Sequence, residues 1–237
     1  MSPELKKRIV SAIVLAIVTL AATWSGGIAF RILAALICLL VYYEWSSMTR
    51  LADRDFRGHA LGWLAVASVS LNLVLGDEGM GVPLIGGFTV TAILWILVRG
   101  GTMWLPGGIF YATMSGVSLA AIRGADQTGF VAMLFVFAVV WATDILAFFV
   151  GRALRGPKLA PRISPGKTWS GAVGGTAFGV LAGSLISLAY FPVLSLRTVF
   201  IALFLSIASQ IGDLFESFIK RRFGVKDSSH LIPGHGG

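Results

Sequence analysis

Apolar residues run in long blocks through this chain, and the blocks set its plan. Nearly unbroken apolar windows occupy residues 9–24, 28–48, 60–75, 82–98, 104–122, 129–151, 171–191 and 196–219. A helix of about 20 such residues is long enough to cross the hydrocarbon of a bilayer. The pattern therefore predicts an all-α polytopic bundle with eight transmembrane helices. The first block follows a short basic start, as a signal peptide's would. No small-residue cleavage pattern precedes Ser25, however, and a second span follows at once, so the block reads as a retained helix.

The polar connections carry an orientation. With the amino terminus in the cytosol, sixteen of the nineteen Lys and Arg residues fall on the cytosolic side, as the positive-inside rule requires. They cluster at Lys6 to Arg8, at Arg50, Arg54 and Arg57, at Arg99, in residues 152–167 and in residues 220–226; only Arg31, Arg123 and Arg197 are left for the other face. The outer connections, such as residues 25–27 and 76–81, are too short for an outer domain. Function is thus expected within the membrane or at its cytosolic face, where residues 152–170 form the longest loop. The chain reads as one membrane domain, 1–237, in which residues 1–128 supply five helices. Residues 129–237 supply three more, together with the long loop and a polar tail. With no targeting extension before the first block, the bacterial inner membrane is the expected location.

Composition sharpens this picture without changing it. Only 13% of residues are charged, against about a quarter in soluble domains. The net charge of +8 follows topology, and no basic stripe interleaved with exposed aromatics appears, which excludes nucleic acid as a partner. The single cysteine, Cys38, rules out an intramolecular disulfide and a cysteine metal cluster, and is expected to pack as a small buried side chain.

Chemistry is expected where carboxylates enter apolar helices, because such groups are costly in lipid. Glu44, Asp144, Asp213 and Glu216 all lie toward the cytosolic ends of their spans. Glu44, between Tyr43 and Trp45, reads as an interfacial residue of the aromatic belt. Gln210, Asp213, Glu216 or Ser217, and Lys220 form one helical stripe. Lys220 can pair with Glu216, which leaves Asp213 a turn deeper without a cation on its own helix. Mg2+ suits that position, since it takes carboxylate oxygens and keeps coordination sites for phosphate.

In the long loop, Gly166-Lys167-Thr168 imitates the end of a phosphate-binding loop. The required first glycine falls at Pro161 and no strand is expected before it, so the motif is excluded. Ser164-Pro165 predicts the start of the seventh helix, with unpaired N–H groups and Lys167 facing an anion; a solvated basic loop is the alternative. Gly171, Gly175, Gly179 and Gly183, continued by Ser187, form a small-residue ladder for close helix packing, within the bundle or across a homodimer. His230 and His235 lack the spacing and partners of a zinc site, and His59 reads as solvated.

Three blocks resemble one family. Ser217-Phe218-Ile219-Lys220-Arg221, then Lys226-Asp227, then the run from Ile232 through Pro233, Gly234 and His235 to Gly237 resemble the signature of the phosphatidate cytidylyltransferase, or CDP-diacylglycerol synthase, family. Asp144, Ala147, Phe148, Gly151, Arg152, Lys158, Leu159, Pro161, Ser164, Pro165, Lys167, Thr168 and Gly171 resemble its earlier cytosolic motif, and residues 209–213 the start of its last one. Two departures stand out: Ile145-Leu146 replace a small pair, and Ser170 stands where glutamate is common.

The resemblance implies attack of a phosphatidate phosphate on CTP, giving CDP-diacylglycerol and pyrophosphate. It implies Mg2+, with a second cation left open, on Asp213, Asp144 and Asp227. Catalytic roles fall to Asp213, Lys220, Arg221, Lys226 and Asp227, and substrate contacts to Arg152, Ser164, Lys167, Thr168, Ser217 and His235. Two other classes stay open: a different membrane phosphotransferase, such as a CTP-dependent lipid kinase, and a cation-coupled transporter. The family signature continues into an aspartate-rich segment and a ninth helix. A chain ending at Gly237 is therefore expected to fold in most of its bundle, to have an incomplete metal site with little or no activity, and to carry an unanchored tail from Phe223 onward.

Overall fold

The computed structural model describes residues 3–77, 79–191, 193–229 and 231–232. Eight of its helices are long and apolar enough to cross a membrane: α1 (Pro3–Ser25), α2 (Gly27–Thr49), α4 (Phe56–Leu75), α5 (Gly81–Arg99), α6 (Trp104–Arg123), α7 (Gln127–Leu154), α8 (Trp169–Tyr190) and α9 (Leu196–Arg222). A one-turn helix, α3 (Leu51–Arg54), precedes α4, and two short strands, β1 (Lys158–Ala160) and β2 (Ser164–Thr168), lie between α7 and α8. The chain is a polytopic helical membrane protein, as the apolar blocks predict. Helices suit this environment because they satisfy their own backbone groups where water is absent. The chain divides into two compact units, Met1–Asp126 with Val225–Gly237, and Gln127–Gly224.

In the first unit, α2, α4 and α6 pack through small residues. A Cβ on Gly116 would lie 2.2 Å from Cys38 Sγ and 2.6 Å from the Ala34 carbonyl oxygen, so α6 reaches α2 only because that position is glycine. Cys38 is fully buried there, the role its setting predicts. Trp45 donates its indole N–H to the Trp104 carbonyl at 2.8 Å. Asp55 caps α4 by accepting from the Gly58 amide and also accepts from the Trp95 indole. Arg123, counted by sequence merely as an outer-face charge, is 6% exposed and donates to the carbonyls of Thr23, Gly124 and Asp126. It ties the end of α1 to the turn after α6.

The tail corrects an expectation. Ser228 and Ser229 both donate to the Glu44 carboxylate, so the described residues after Phe223 are anchored. Glu44 is correspondingly more than a belt residue.

In the second unit, the glycine ladder packs α8 against α7. A Cβ on Gly171 would stand 2.6 Å from the Ala147 carbonyl oxygen, one on Gly175 2.6 Å from that of Thr143, and one on Gly183 2.6 Å from a Val139 methyl. The ladder thus serves packing inside this chain. Where α7, α8 and α9 meet, hydroxyls replace hydrocarbon: Thr143 of α7 and Ser206 of α9 share a hydrogen bond at 2.8 Å, Ser206 donates to Thr176 of α8, and the Gln210 amide donates to Thr176 at 2.8 Å. Such buried networks hold helices in one rotational setting when every member is satisfied.

The loop between α7 and α8 departs from the sequence reading. Residues 164–168 form β2, paired antiparallel with β1 through Lys158 opposite Thr168 and Ala160 opposite Ser164. Helix α8 therefore begins at Trp169 rather than near Ser164, and its cap is Thr168, whose hydroxyl accepts from the Gly171 amide at 3.1 Å. The Trp169 amide donates to the Pro157 carbonyl. Two donors expected to face an anion are thus already used, because the hairpin closes against the helix start.

Candidate active site

A cavity of about 760 Å³ opens in the second unit, and each element there contributes a distinct part of its wall. From α7 come Asp144, Phe148, Gly151 and Arg152, spaced so that one helical face carries them all. The hairpin adds Lys158, Ser164 and Lys167; α8 begins at the rim with Gly171 and Ala172; α9 supplies Gln210 and Asp213. Four cations, Arg152, Arg155, Lys158 and Lys167, face two carboxylates, Asp144 and Asp213.

Lys167 forms an ion pair with Asp213. The sequence left Asp213 without a cation because none lies within a turn on its own helix; the partner comes instead from β2, 46 residues away. This pair is partly exposed, 27% for Lys167 and 48% for Asp213, so it contributes little to stability and is open to exchange for another ligand. Asp144 lines the same cavity as this pair.

The rim is shaped by an unusual backbone. Helix α7 ends at Leu154, and Arg155 then adopts a left-handed conformation, φ 55°, which costs roughly 1–2 kcal/mol in a residue with a side chain. The Ser170 hydroxyl donates to the Arg155 carbonyl and the Thr168 and Ser170 hydroxyls are in contact at 3.1 Å. These contacts hold the turn that turns Arg155 toward the cavity. Ser170, which stands where glutamate is common in the resembled motif, thus supports this turn.

Residues 6–237 match the cytidylyltransferase family. The chain is 45% identical to a phosphatidate cytidylyltransferase of Brucella abortus over 237 residues, 99% of this chain and 86% of the relative. It is 31% identical to the Bacillus subtilis enzyme of that name, over 99% of this chain and 91% of the relative, and 34% identical to that of Haemophilus influenzae, over 98% and 92%. The chain belongs to the cytidylyltransferase family.

The expected site residues of this cytidylyltransferase family member divide into three groups. Asp144, Arg152, Ser164, Lys167, Thr168 and Asp213 come together in the cavity. Thr168 does so with its hydroxyl already engaged as the α8 cap, which makes it a wall residue rather than a free phosphate donor. Ser217, Lys220 and Arg221 do not line the cavity; Lys220 lies seven residues beyond Asp213, about 10 Å along the helix, and pairs with Glu216 at 2.8 Å. Lys226 and Asp227 belong to the other unit, in its segment Val225–Gly237, and are exposed. His235 lies outside the described residues, as does His230.

Sequence reasoning missed Arg155 as a site residue, having counted it only toward topology, and gave Gln210 no role beyond the polar stripe. The paired signal was present in Arg155-Gly156 directly after an apolar helix, where a positive φ reverses the chain.

The donor set fits a hard divalent cation in a particular way. Among the described residues no group of three or more His, Cys, Asp or Glu could hold a metal ion. Mg2+ is nevertheless commonly held by one or two carboxylates, with water and substrate phosphate completing the shell. Asp144 and Asp213 on one cavity wall match that pattern.

Proposed function

We infer that this chain transfers the cytidylyl group of CTP to phosphatidate, giving CDP-diacylglycerol and pyrophosphate. The observation that carries the reading is the cavity in which four cations face two carboxylates, in a chain related over nearly its whole length to phosphatidate cytidylyltransferases. A phosphate oxygen of phosphatidate attacks the α-phosphorus of CTP; the bond from that phosphorus to the bridging oxygen of the β-phosphate breaks, and pyrophosphate leaves with the electron pair. The nucleophile is already anionic near neutral pH, so the site needs charge neutralisation and in-line placement more than a strong base.

Arg152, Arg155 and Lys158 would screen the two anions that must approach each other, Arg152 offering the planar fork that grips phosphate oxygens. Lys167, held by Asp213, presents its charge from the stiff hairpin rather than from a free loop. Asp144 and Asp213 would hold Mg2+, which when bound would neutralise phosphate charge and align the leaving group. CTP labelled at the α-phosphate, incubated with phosphatidate and Mg2+ in detergent, is expected to yield labelled lipid and release pyrophosphate. Lipid left unlabelled by this CTP but labelled by CTP carrying the label at the γ-phosphate would instead mark a lipid kinase and overturn the reading.

The orientation belongs to the same proposal: the amino terminus and the hairpin face the cytosol, in an inner membrane, so that CTP reaches the cavity from water and lipid from the leaflet. The distribution of Lys and Arg supports it. Because Cys38 is buried, an Arg162→Cys variant gives a clean readout. A membrane-impermeant thiol reagent applied to intact cells is expected to spare it, and efficient labelling from outside would reverse the orientation. A homodimer would need a face other than the glycine ladder.

A further inference from the structure

We propose that the first unit binds the headgroup of an amine-bearing phospholipid at the face where α2 begins, with the lipid phosphate on Arg31 and the headgroup amine on Asp77. The site is independent of the transferase reading. A cavity of about 260 Å³ lies among the start of α2, the end of α4, the start of α5 and the end of α6. Four ends of membrane-spanning helices at one level set it at the depth of the lipid headgroups. Arg50, Arg57 and Arg99 mark the opposite ends of α2, α4 and α5, so this face is poor in cations and Arg31 stands out on it.

The Arg31 guanidinium lies folded over the turn that closes α4. A Cβ on Gly76, whose φ is +82°, would stand 2.0 Å from Nη1 of Arg31 and 2.6 Å from its Cζ, so glycine leaves the room the guanidinium occupies. Among the described residues Arg31 has neither a hydrogen bond nor an ion pair. Five N–H donors held at a cavity without an acceptor suit an anion, and the planar fork matches two oxygens of one phosphate.

Asp77 lines the same cavity but forms no ion pair with Arg31. Its turn is already fixed: Oδ1 accepts from the Gly79 amide at 3.1 Å, and its backbone carbonyl accepts from the Asn72 amide at 2.9 Å. Oδ2 is left without a partner among the described residues. The cavity thus presents a cation and an anion held apart. Inorganic phosphate would satisfy the first and be repelled by the second, whereas a headgroup with both a phosphodiester and an ammonium satisfies both.

The surroundings favour a lipid over a soluble headgroup. Phe30, Leu73 and Val117 give the cavity an apolar wall. Ile28, Leu75 and Val82, each next in sequence to a cavity glycine, are exposed. In a membrane-spanning chain such residues meet hydrocarbon, so acyl chains have a surface beside the headgroup.

Native mass spectrometry of the full chain in detergent, titrated with phosphatidylethanolamine or phosphatidylglycerol, tests the site. Phosphatidylethanolamine is expected to bind about fivefold tighter, the worth of one exposed charge pair. Arg31→Gln should weaken both lipids at least about tenfold, the cost of losing a charge-assisted hydrogen bond. Asp77→Asn keeps an acceptor for the Gly79 amide and should reduce the preference below about twofold. Ala121→Trp fills the cavity without altering either charge and should abolish the bound lipid. These last two variants decide the matter if Arg31→Gln fails to fold. Unchanged binding in Arg31→Gln or Ala121→Trp, or a preference that survives Asp77→Asn, would overturn the proposal. Glycerophosphoethanolamine binding as tightly as the lipid would overturn the lipid as occupant.

Discussion

Asp213→Asn is expected to abolish most cytidylyl transfer, by about 10²–10³-fold, while leaving the bundle folded. The magnitude is that seen when one preorganised electrostatic group is removed from an active site. The fold should survive because the Lys167–Asp213 pair is partly exposed and such pairs are worth about 0–1 kcal/mol. Two roles for Asp213 can be told apart. If it only holds Lys167, then Lys167→Met and Asp213→Asn will cost the same and the double variant no more. If it also takes Mg2+, Asp213→Asn alone will raise the metal concentration needed for half-maximal rate and weaken Mn2+ binding measured directly. Near-full turnover of Asp213→Asn at ordinary Mg2+ would remove Asp213 from the site.

Gly175→Leu is expected to prevent assembly of the second unit. Even the first carbon of a side chain there would lie 2.6 Å from the Thr143 carbonyl oxygen and 2.7 Å from Ala147 Cβ, and the carbonyl cannot rotate away without breaking α7. Gly175→Ala should already cost about 1–3 kcal/mol, the usual penalty for overpacking. Gly87, on α5, provides the control, since nothing lies within 4 Å of a Cβ built on it. Thermal unfolding in detergent should show Gly87→Ala unchanged, Gly175→Ala lowered and Gly175→Leu without a cooperative transition. A normal melt for Gly175→Leu with lost turnover would make the ladder a chemical rather than a packing feature.

The eight spans were legible because hydrophobic length alone marks them, and the ladder because a four-residue repeat of small side chains has one common structural use. The cavity was half legible. Asp144, Lys167 and Asp213 could be singled out as costly or motif-bearing, but their meeting depends on a hairpin that no apolar periodicity announces. Its strands are three and five residues long, and the second contains Pro165 and Gly166, which read more naturally as a helix start. Pairing with Lys158 and Ala160 overrides that local preference. The contacts of Glu44 with Ser228 and Ser229 span 184 and 185 positions, and no residue between them hints at the match. The aromatic flanks of Glu44 pointed to the membrane surface and away from a specific partner.

The lengths of α7 and α9 have a consequence for the lipid around this protein. With 28 and 27 residues, these helices run to about 42 and 40 Å, whereas the hydrocarbon layer is about 30 Å thick. Each must tilt or emerge from the layer. The near backbone contact along the ladder couples α7 to α8, so the two lean as one plank, and the hairpin joining them leans too. Acyl chains of different length would then change the height at which Arg152 and Lys167 meet the phosphate plane, making bilayer thickness itself a setting on how a phosphatidate headgroup enters the cavity.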